Sequence, residues 1–341
     1  MTVKSRLVPE VDFDAPGAHY GFVRLFHSVH RSAYGYIPIP IVVLRNGDGP
    51  TALFVSGTHG DEYEGQVALC NLARTLTPEM IQGRVILLPA ANLPAAVAGL
   101  RTSPIDDGNL NRVFPGDPDG SVTEQIAYFI EHELVTRADL VTDLHSGGSS
   151  LNYVPSALMM QDDDDPVRQA ALLAALRAFA SPVSYIGHAQ PGQGAMRTTG
   201  GAAQRHGKLA LGSELGGGGT VSSAGLRIAE RGLRNVLAHM GILPPSAAEP
   251  APTRILDVGG PDYFVYAPST GLFEPLAEPG DTVRAGQPAA RLHTPETPWA
   301  PAETVYFGRD GFVLCKRIPG RTIRGDCLFH LGSDLDDVEW S

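Results

Sequence analysis

His59 and Glu62, three residues apart in "GTHGDEYEG", and His145 in "DLHSGG" are side chains of the types that hold a catalytic zinc ion. Two histidines and one carboxylate, with a fourth position open to water or substrate, form such a ligand set. The turn also carries Asp61 and Glu64, and a cluster of carboxylates beside an apolar strand is costly to desolvate unless a cation or other partner compensates it. A solvated acidic turn is the alternative for the HxxE pair on its own. Asp143, two residues before His145 and on the same face of a strand, suits the orientation of a metal-bound histidine, or else a backbone or arginine partner. Glu214, between an apolar strand and the run "GGGG", is of the type that acts as general base and then general acid beside a metal; the alternative is a strand-end carboxylate in solvent. Arg101, Asn111 and Arg112 lie in "RTSPIDDGNLNRVFPGDPDG", and guanidinium groups bind carboxylates and oxyanions, although a single arginine in a loop is as readily a solvated one.

These residues need elements that bring them together. From about residue 36 to 256, short apolar runs alternate with longer helical periods, which predicts an α/β sheet layered by helices. "IPIPIVVLR", "TALFVSG", "GRVILLPAAN", "DLVTDLH" and "GKLALGSE" read as strands, and ligands of open α/β sheets bind beyond the carboxyl ends of strands, where His59, His145 and Glu214 fall. The loop from Arg101 to Gly120 is long enough to suggest function. Ser121 and Glu124 predict a capping box opening the helix "TEQIAYFIEHELVTRA", on which His132 is exposed or structural. Asp165 and Pro166 predict the start of another, which makes the run "DDDD" a solvated helix start rather than a calcium site. His188 is a residue that could border a pocket. "PPSAAEPAPT" reads as a linker or surface strap, and beyond it closely spaced Gly and Pro turns predict a small all-β module. The expected organisation is a catalytic domain over 1–250, with residues 1–35 as an N-terminal strand extension, and a β-rich module over 251–341.

The chain has 341 residues, enough to bury a large core, and its formal net charge of −11 disfavours nucleic acid and anionic membrane as partners. A small molecule is the expected partner. No apolar run reaches the roughly 18 residues of a membrane span and the first residues lack the pattern of a secretory signal, so a cytoplasmic location is expected. Cys70, Cys315 and Cys327 are scattered and odd in number, which argues against a disulfide framework or a cysteine zinc site.

The four motifs "GTHGDEYEG", "NLNRVFPG", "DLHSGG" and "SELGGGG", in that order, resemble those of the succinylglutamate desuccinylase/aspartoacylase family of the zinc carboxypeptidase-like superfamily. The likeness runs over roughly residues 35 to 335. It implies a mixed sheet flanked by helices with a barrel-sandwich-like C-terminal module, and one Zn2+ per subunit held by His59, Glu62 and His145. It further implies Glu214 as catalytic acid and base, Arg101 polarising the scissile carbonyl, and Asn111 with Arg112 binding the substrate carboxylate. The C-terminal part has no lysine in a carrier-type hairpin, and its surface is available for contacts between subunits of a homo-oligomer. Within the family the overall similarity is to the N-acetyl-L-2,4-diaminobutyrate deacetylases of ectoine degradation. The expected activity is zinc-dependent hydrolysis of the amide of a small N-acyl amino acid, with a carboxypeptidase-like metallopeptidase or a non-catalytic metal-binding adaptor as alternatives.

Overall fold

The computed structural model describes residues 4–162, 164–189 and 194–335. Asp163 of the acidic run and residues 190–193 after His188 therefore lie outside the described residues. At the centre, the strands Thr51–Ser56, Leu140–His145 and Leu209–Glu214 run parallel and side by side, Thr51–Ser56 and Leu209–Glu214 flanking Leu140–His145. All six residues of Thr51–Ser56 are buried, as expected for a strand covered on both faces. Its alternate side chains divide between two cores. Ala52 and Phe54 pack on the side of the helices Tyr63–Thr75, Pro166–Phe179 and Ser223–His239, whereas Leu53 and Val55 pack on the side of Val122–Phe129 and Thr199–Arg205. Because the three strands share a direction, they end on one edge, with Glu214 in register with His145 and Ser56 with Leu144.

The predicted capping box is present: Ser121 accepts from the Glu124 backbone, and the Glu124 carboxylate accepts from the Ser121 backbone. The helix it opens is not one uniform α-helix. After Phe129 it widens into a π turn over Ile130–Leu134 and closes as a 3-10 turn over Val135–Arg137. This segment buries Glu131, whose carboxylate is met by Arg205 Nε at 3.1 Å. His132 is half-buried against the Tyr128 ring, with centroids 4.2 Å apart. Asp165 caps the helix Pro166–Phe179, accepting from the Arg168 backbone at 2.9 Å.

The large sheet continues past the proline-rich strap. Arg254–Val258 pairs parallel with Val183–Gly187, then antiparallel with Cys327–Asp334, which pairs with Gly311–Arg317. A third core joins Val183, Tyr185 and Leu256 to Phe273, Phe307 and Phe329. A second, four-stranded antiparallel sheet of Gly271–Pro275, Pro288–His293, Glu303–Tyr306 and Arg321–Thr322 completes the C-terminal part. The strap itself is tied down, since the Asn235 side chain bonds both the N–H and the carbonyl of Glu249. Among the described residues, no helix is long and apolar enough to cross a membrane, and the three cysteines are free.

Candidate active site and metal centre

The turn after Thr51–Ser56 is shaped by tight backbone approaches. Gly57 has φ +65°, and a Cβ on Gly60 would lie 2.0 Å from the Ala95 carbonyl carbon, so only glycine fits there. The turn delivers His59 and Glu62, and Glu62 precedes the first residue of the helix Tyr63–Thr75. Its three carboxylates go to separate tasks. Asp61 accepts from the backbone and hydroxyl of Ser149, each at 2.8 Å, and Glu64 accepts from the Ser222 backbone at 3.0 Å. Glu62 alone faces the histidines.

Glu62 stands between the two rings: Oε1 is 2.7 Å from His59 Nδ1 and Oε2 is 2.7 Å from His145 Nδ1. The ligand atoms of His59, Glu62 and His145 all lie within 4.8 Å of one another. The far nitrogens are also engaged, His59 Nε2 with Asn109 Oδ1 at 3.1 Å and His145 Nε2 with Asp143 Oδ2 at 2.9 Å. Both partners are oxygen acceptors, so they would keep a proton on Nε2 when a metal displaces the protons between Glu62 and the rings, freeing each Nδ1 as the ligand atom. That is the donor set and outer support a divalent metal of the zinc type requires. Asp143 is anchored in turn by the Thr58 hydroxyl at 2.9 Å.

The charges respond to this crowding. Burial opposes ionisation of Glu62, but His59 and His145 outweigh it and hold the carboxyl well below the usual range. Burial lowers the pKa of His59, whereas His145, opposed by the same burial, is raised well above its ordinary value by Asp143 and Glu62. Glu214 is pushed up to about 8, first by burial and then by the negative charge of Glu62. Its Oε2 is buried with no hydrogen-bond partner. A divalent cation among the neighbouring ligands would draw that value down again by favouring the carboxylate.

A cavity of about 220 Å³ opens over the cluster, and His59, Glu62, Arg101, Arg112, His145 and Glu214 line it. Arg101 reaches in from the long loop, with Nη1 3.3 Å from Glu62 Oε1. Arg112 lines the wall, its pKa lowered by burial and by Arg101. Asn111 also lines it: Oδ1 accepts from the Thr199 backbone at 2.9 Å, and Nδ2 lies 3.2 Å from His145 Nε2, whose proton goes to Asp143, so the Nδ2 hydrogens stay available to the cavity. A second cavity of about 330 Å³, walled by apolar residues such as Leu158, Met160 and Leu211, shares Asn111, His145 and Glu214 with the first.

The seven candidate ligand, acid/base and substrate-binding residues thus meet at one cavity, with Asp143 behind His145 on the wall of the second. Asn109 was not among them, although it stands in the same "NLNR" motif; its role becomes visible only when the fold brings it to the His59 ring. Tyr153, which also lines the cavity, carries no sequence signal. The glycine run serves a backbone contact: a Cβ on Gly217 would lie 2.0 Å from the Leu151 carbonyl oxygen, and the Gly216 carbonyl accepts from the N–H groups of Gly147 and Tyr153. His188 lines neither cavity and pairs with Asp257 at 2.6 Å.

Residues 48–240 match the model of the succinylglutamate desuccinylase/aspartoacylase catalytic domain. The chain belongs to this family. It is 42% identical over 319 residues to the N-alpha-acetyl-L-2,4-diaminobutyric acid deacetylase of Halomonas elongata, covering 93% of this chain and 92% of the relative. The product-bound structure of the ectoine utilization protein EutE (DoeB) from Ruegeria pomeroyi is 42% identical, with a TM-score of 0.93 over 97% of this chain and 100% of that one. A succinylglutamate desuccinylase/aspartoacylase from Rhodobacter sphaeroides is 40% identical, with a TM-score of 0.90 over 97% of this chain and 100% of that one. As a member of this family the chain is a deacylating hydrolase of small N-acyl amino acids.

Proposed function

We propose that this protein is a zinc-dependent deacetylase whose substrate is N-α-acetyl-L-2,4-diaminobutyrate or a close analogue, with one metal ion per subunit held by His59, Glu62 and His145. The observation that carries the reading is the meeting of three metal-ligating atoms within 4.8 Å of one another at a cavity that also contains Glu214 and two arginines. The deacetylase activity by which the Halomonas elongata relative is named, at 42% identity over nearly the whole chain, supports the choice of substrate.

A zinc-type ion at these ligands supplies Lewis acidity and acidifies an attacking water. The chain's own groups do the rest. The Glu214 carboxylate accepts the proton of the attacking water and returns it to the departing amine, which leaves as the free amino acid while the acyl group leaves as acetate. Arg101 donates to the carbonyl oxygen as negative charge develops on it, and Arg112 with Asn111 binds the substrate carboxylate. Asn109 and Asp143 keep His59 and His145 in the tautomer that presents Nδ1.

Acetate release from a panel of N-acyl amino acids tests the reading, with C-terminal dipeptides included. Turnover concentrated on N-α-acetyl-L-2,4-diaminobutyrate is expected. Cleavage of the dipeptides at comparable or higher kcat/KM would instead make the protein a metallopeptidase.

A further inference from the structure

The C-terminal strands reach the catalytic cavity through one row of side chains. Leu151–Tyr153, on the cavity rim, pairs with Gly311–Arg317, which pairs with Cys327–Asp334, which pairs with Phe264–Tyr266. The registers put Tyr153 beside Cys315, Cys315 beside His330, and His330 beside Phe264. Cys315 is small enough for its two neighbours to meet across it: the Tyr153 hydroxyl lies 3.5 Å from His330 Nδ1.

His330 is only 5% exposed. Phe264 stacks on its ring at 4.4 Å and 7°, and the rings of Tyr153 and Tyr185 meet it edge-on at 6.0 and 5.8 Å. Its Nε2 is buried and has no partner among the described residues. Burial lowers its pKa to about 3, so the ring is neutral and carries one proton. On Nε2 that proton would be a buried donor with nothing to accept it. On Nδ1 it meets the tyrosine oxygen and leaves Nε2 only an unused lone pair, the lesser cost. The Tyr153 oxygen then accepts, and its own proton must point elsewhere. Within hydrogen-bonding reach is the Cys315 thiol, only a weak acceptor for that proton. On the other side lies the cavity that Tyr153 lines with Arg101, Arg112 and Glu214.

We infer that the C-terminal sheet is part of the active site: His330, as the Nδ1–H tautomer, donates to the Tyr153 oxygen and turns the Tyr153 hydroxyl into the cavity, where it donates to the carboxylate of the bound N-acyl amino acid. Tyr153 is then a substrate-binding residue and His330 a positioning residue acting through it. The substrate half of this inference rests on the proposed deacetylase activity; the tautomer does not.

The tautomer is read from the ring ¹⁵N shifts of His330 in the zinc-loaded full-length protein, assigned by difference against His330→Phe. A protonated Nδ1 and an unprotonated Nε2 are expected, and the reverse overturns the inference. In the kinetic arm, Tyr153→Phe raises KM for the best substrate of the panel roughly ten- to hundredfold with little change in kcat, as for a lost hydrogen bond to a charged group made equally in ground and transition states. His330→Phe, which keeps the aromatic stack, shifts KM in the same direction, and the double variant is no worse than Tyr153→Phe alone. KM within twofold of wild type for Tyr153→Phe, or multiplicative effects in the double variant, overturns the inference. If His330→Phe does not fold, Tyr153→Phe decides the kinetic arm, and the tautomer is assigned instead by the loss of the hydroxyl contact in that variant. A wild-type protein inactive on every substrate counts against the proposed function, and the ring shifts still decide the tautomer.

Discussion

Replacing Asp143 with asparagine removes one charge from the metal centre and almost no volume. Asp143 accepts from His145 Nε2 at 2.9 Å through one oxygen and from the Thr58 hydroxyl at 2.9 Å through the other, and it is buried. In Asp143→Asn, the amide oxygen can face His145, which preserves the Nε2–H tautomer but loses the charge that makes the ring a better donor of its Nδ1 lone pair. If the amide nitrogen faces His145, it favours the opposite tautomer and blocks the ligand atom. Thr58 is compatible with both orientations because a hydroxyl donates and accepts. Loss of such an outer carboxylate typically lowers metal affinity 10- to 100-fold, which is about 1.4 to 2.8 kcal/mol. Titration of the metal-free variant with zinc against a fluorescent chelator measures this directly. An affinity within twofold of wild type, with unchanged thermal stability, would refute the claim that Asp143 orients His145.

Glu214→Gln keeps the size of the side chain and the bound metal while kcat falls by roughly 10² to 10⁴, checked by acetate release alongside metal content. His145 is raised well above its ordinary value, by Asp143 and Glu62 against burial, so the metal-free protein holds its proton at pH 7 and metal must displace it. Zinc affinity therefore falls as the pH is lowered, and calorimetry in buffers of different ionisation enthalpy should detect nearly two protons released per metal bound at neutral pH, one from His145 and most of one from Glu214. The sign for stability is the reverse. A folded-state pKa above the unfolded value of about 6.5 contributes stability to the metal-free protein that is fully present below that pH and is lost as pH rises through the raised value, as thermal denaturation across that range will register. Gly60→Ala forces a Cβ to within 2.0 Å of the Ala95 carbonyl carbon and should cost about 1 to 3 kcal/mol or more in chemical denaturation while weakening metal binding.

The clustering of the candidate metal ligands His59, Glu62 and His145 was legible because their signal is local. HxxE after an apolar strand and a histidine ending a second strand need only the rule that parallel strands open their sites at one edge. The capping box at Ser121 and the cap at Asp165 were legible for the same reason, since each involves residues three apart. Asn109 and Tyr153 were not, because their roles depend on neighbours 50 and 177 residues away in sequence, His59 and His330. The glycines after Glu214 pointed to a close approach without saying of what, and the answer is the Leu151 backbone. The π turn at Ile130–Leu134 was hidden because the pattern of apolar residues continues through it. Continuity of the large sheet across the proline-rich strap could not be read either, since strand pairing between Val183–Gly187 and Arg254–Val258 leaves no mark in composition.

The most direct test of the account removes and restores the metal in one preparation while following acetate release from N-α-acetyl-L-2,4-diaminobutyrate. Chelation should abolish turnover, and zinc should restore it in proportion to occupancy, saturating at one ion per subunit in wild type and failing to bind at that level when His59 or His145 is replaced by alanine. Full activity in thoroughly metal-free protein, or stoichiometric binding that survives both replacements, would contradict the assignment of the His59, Glu62 and His145 centre.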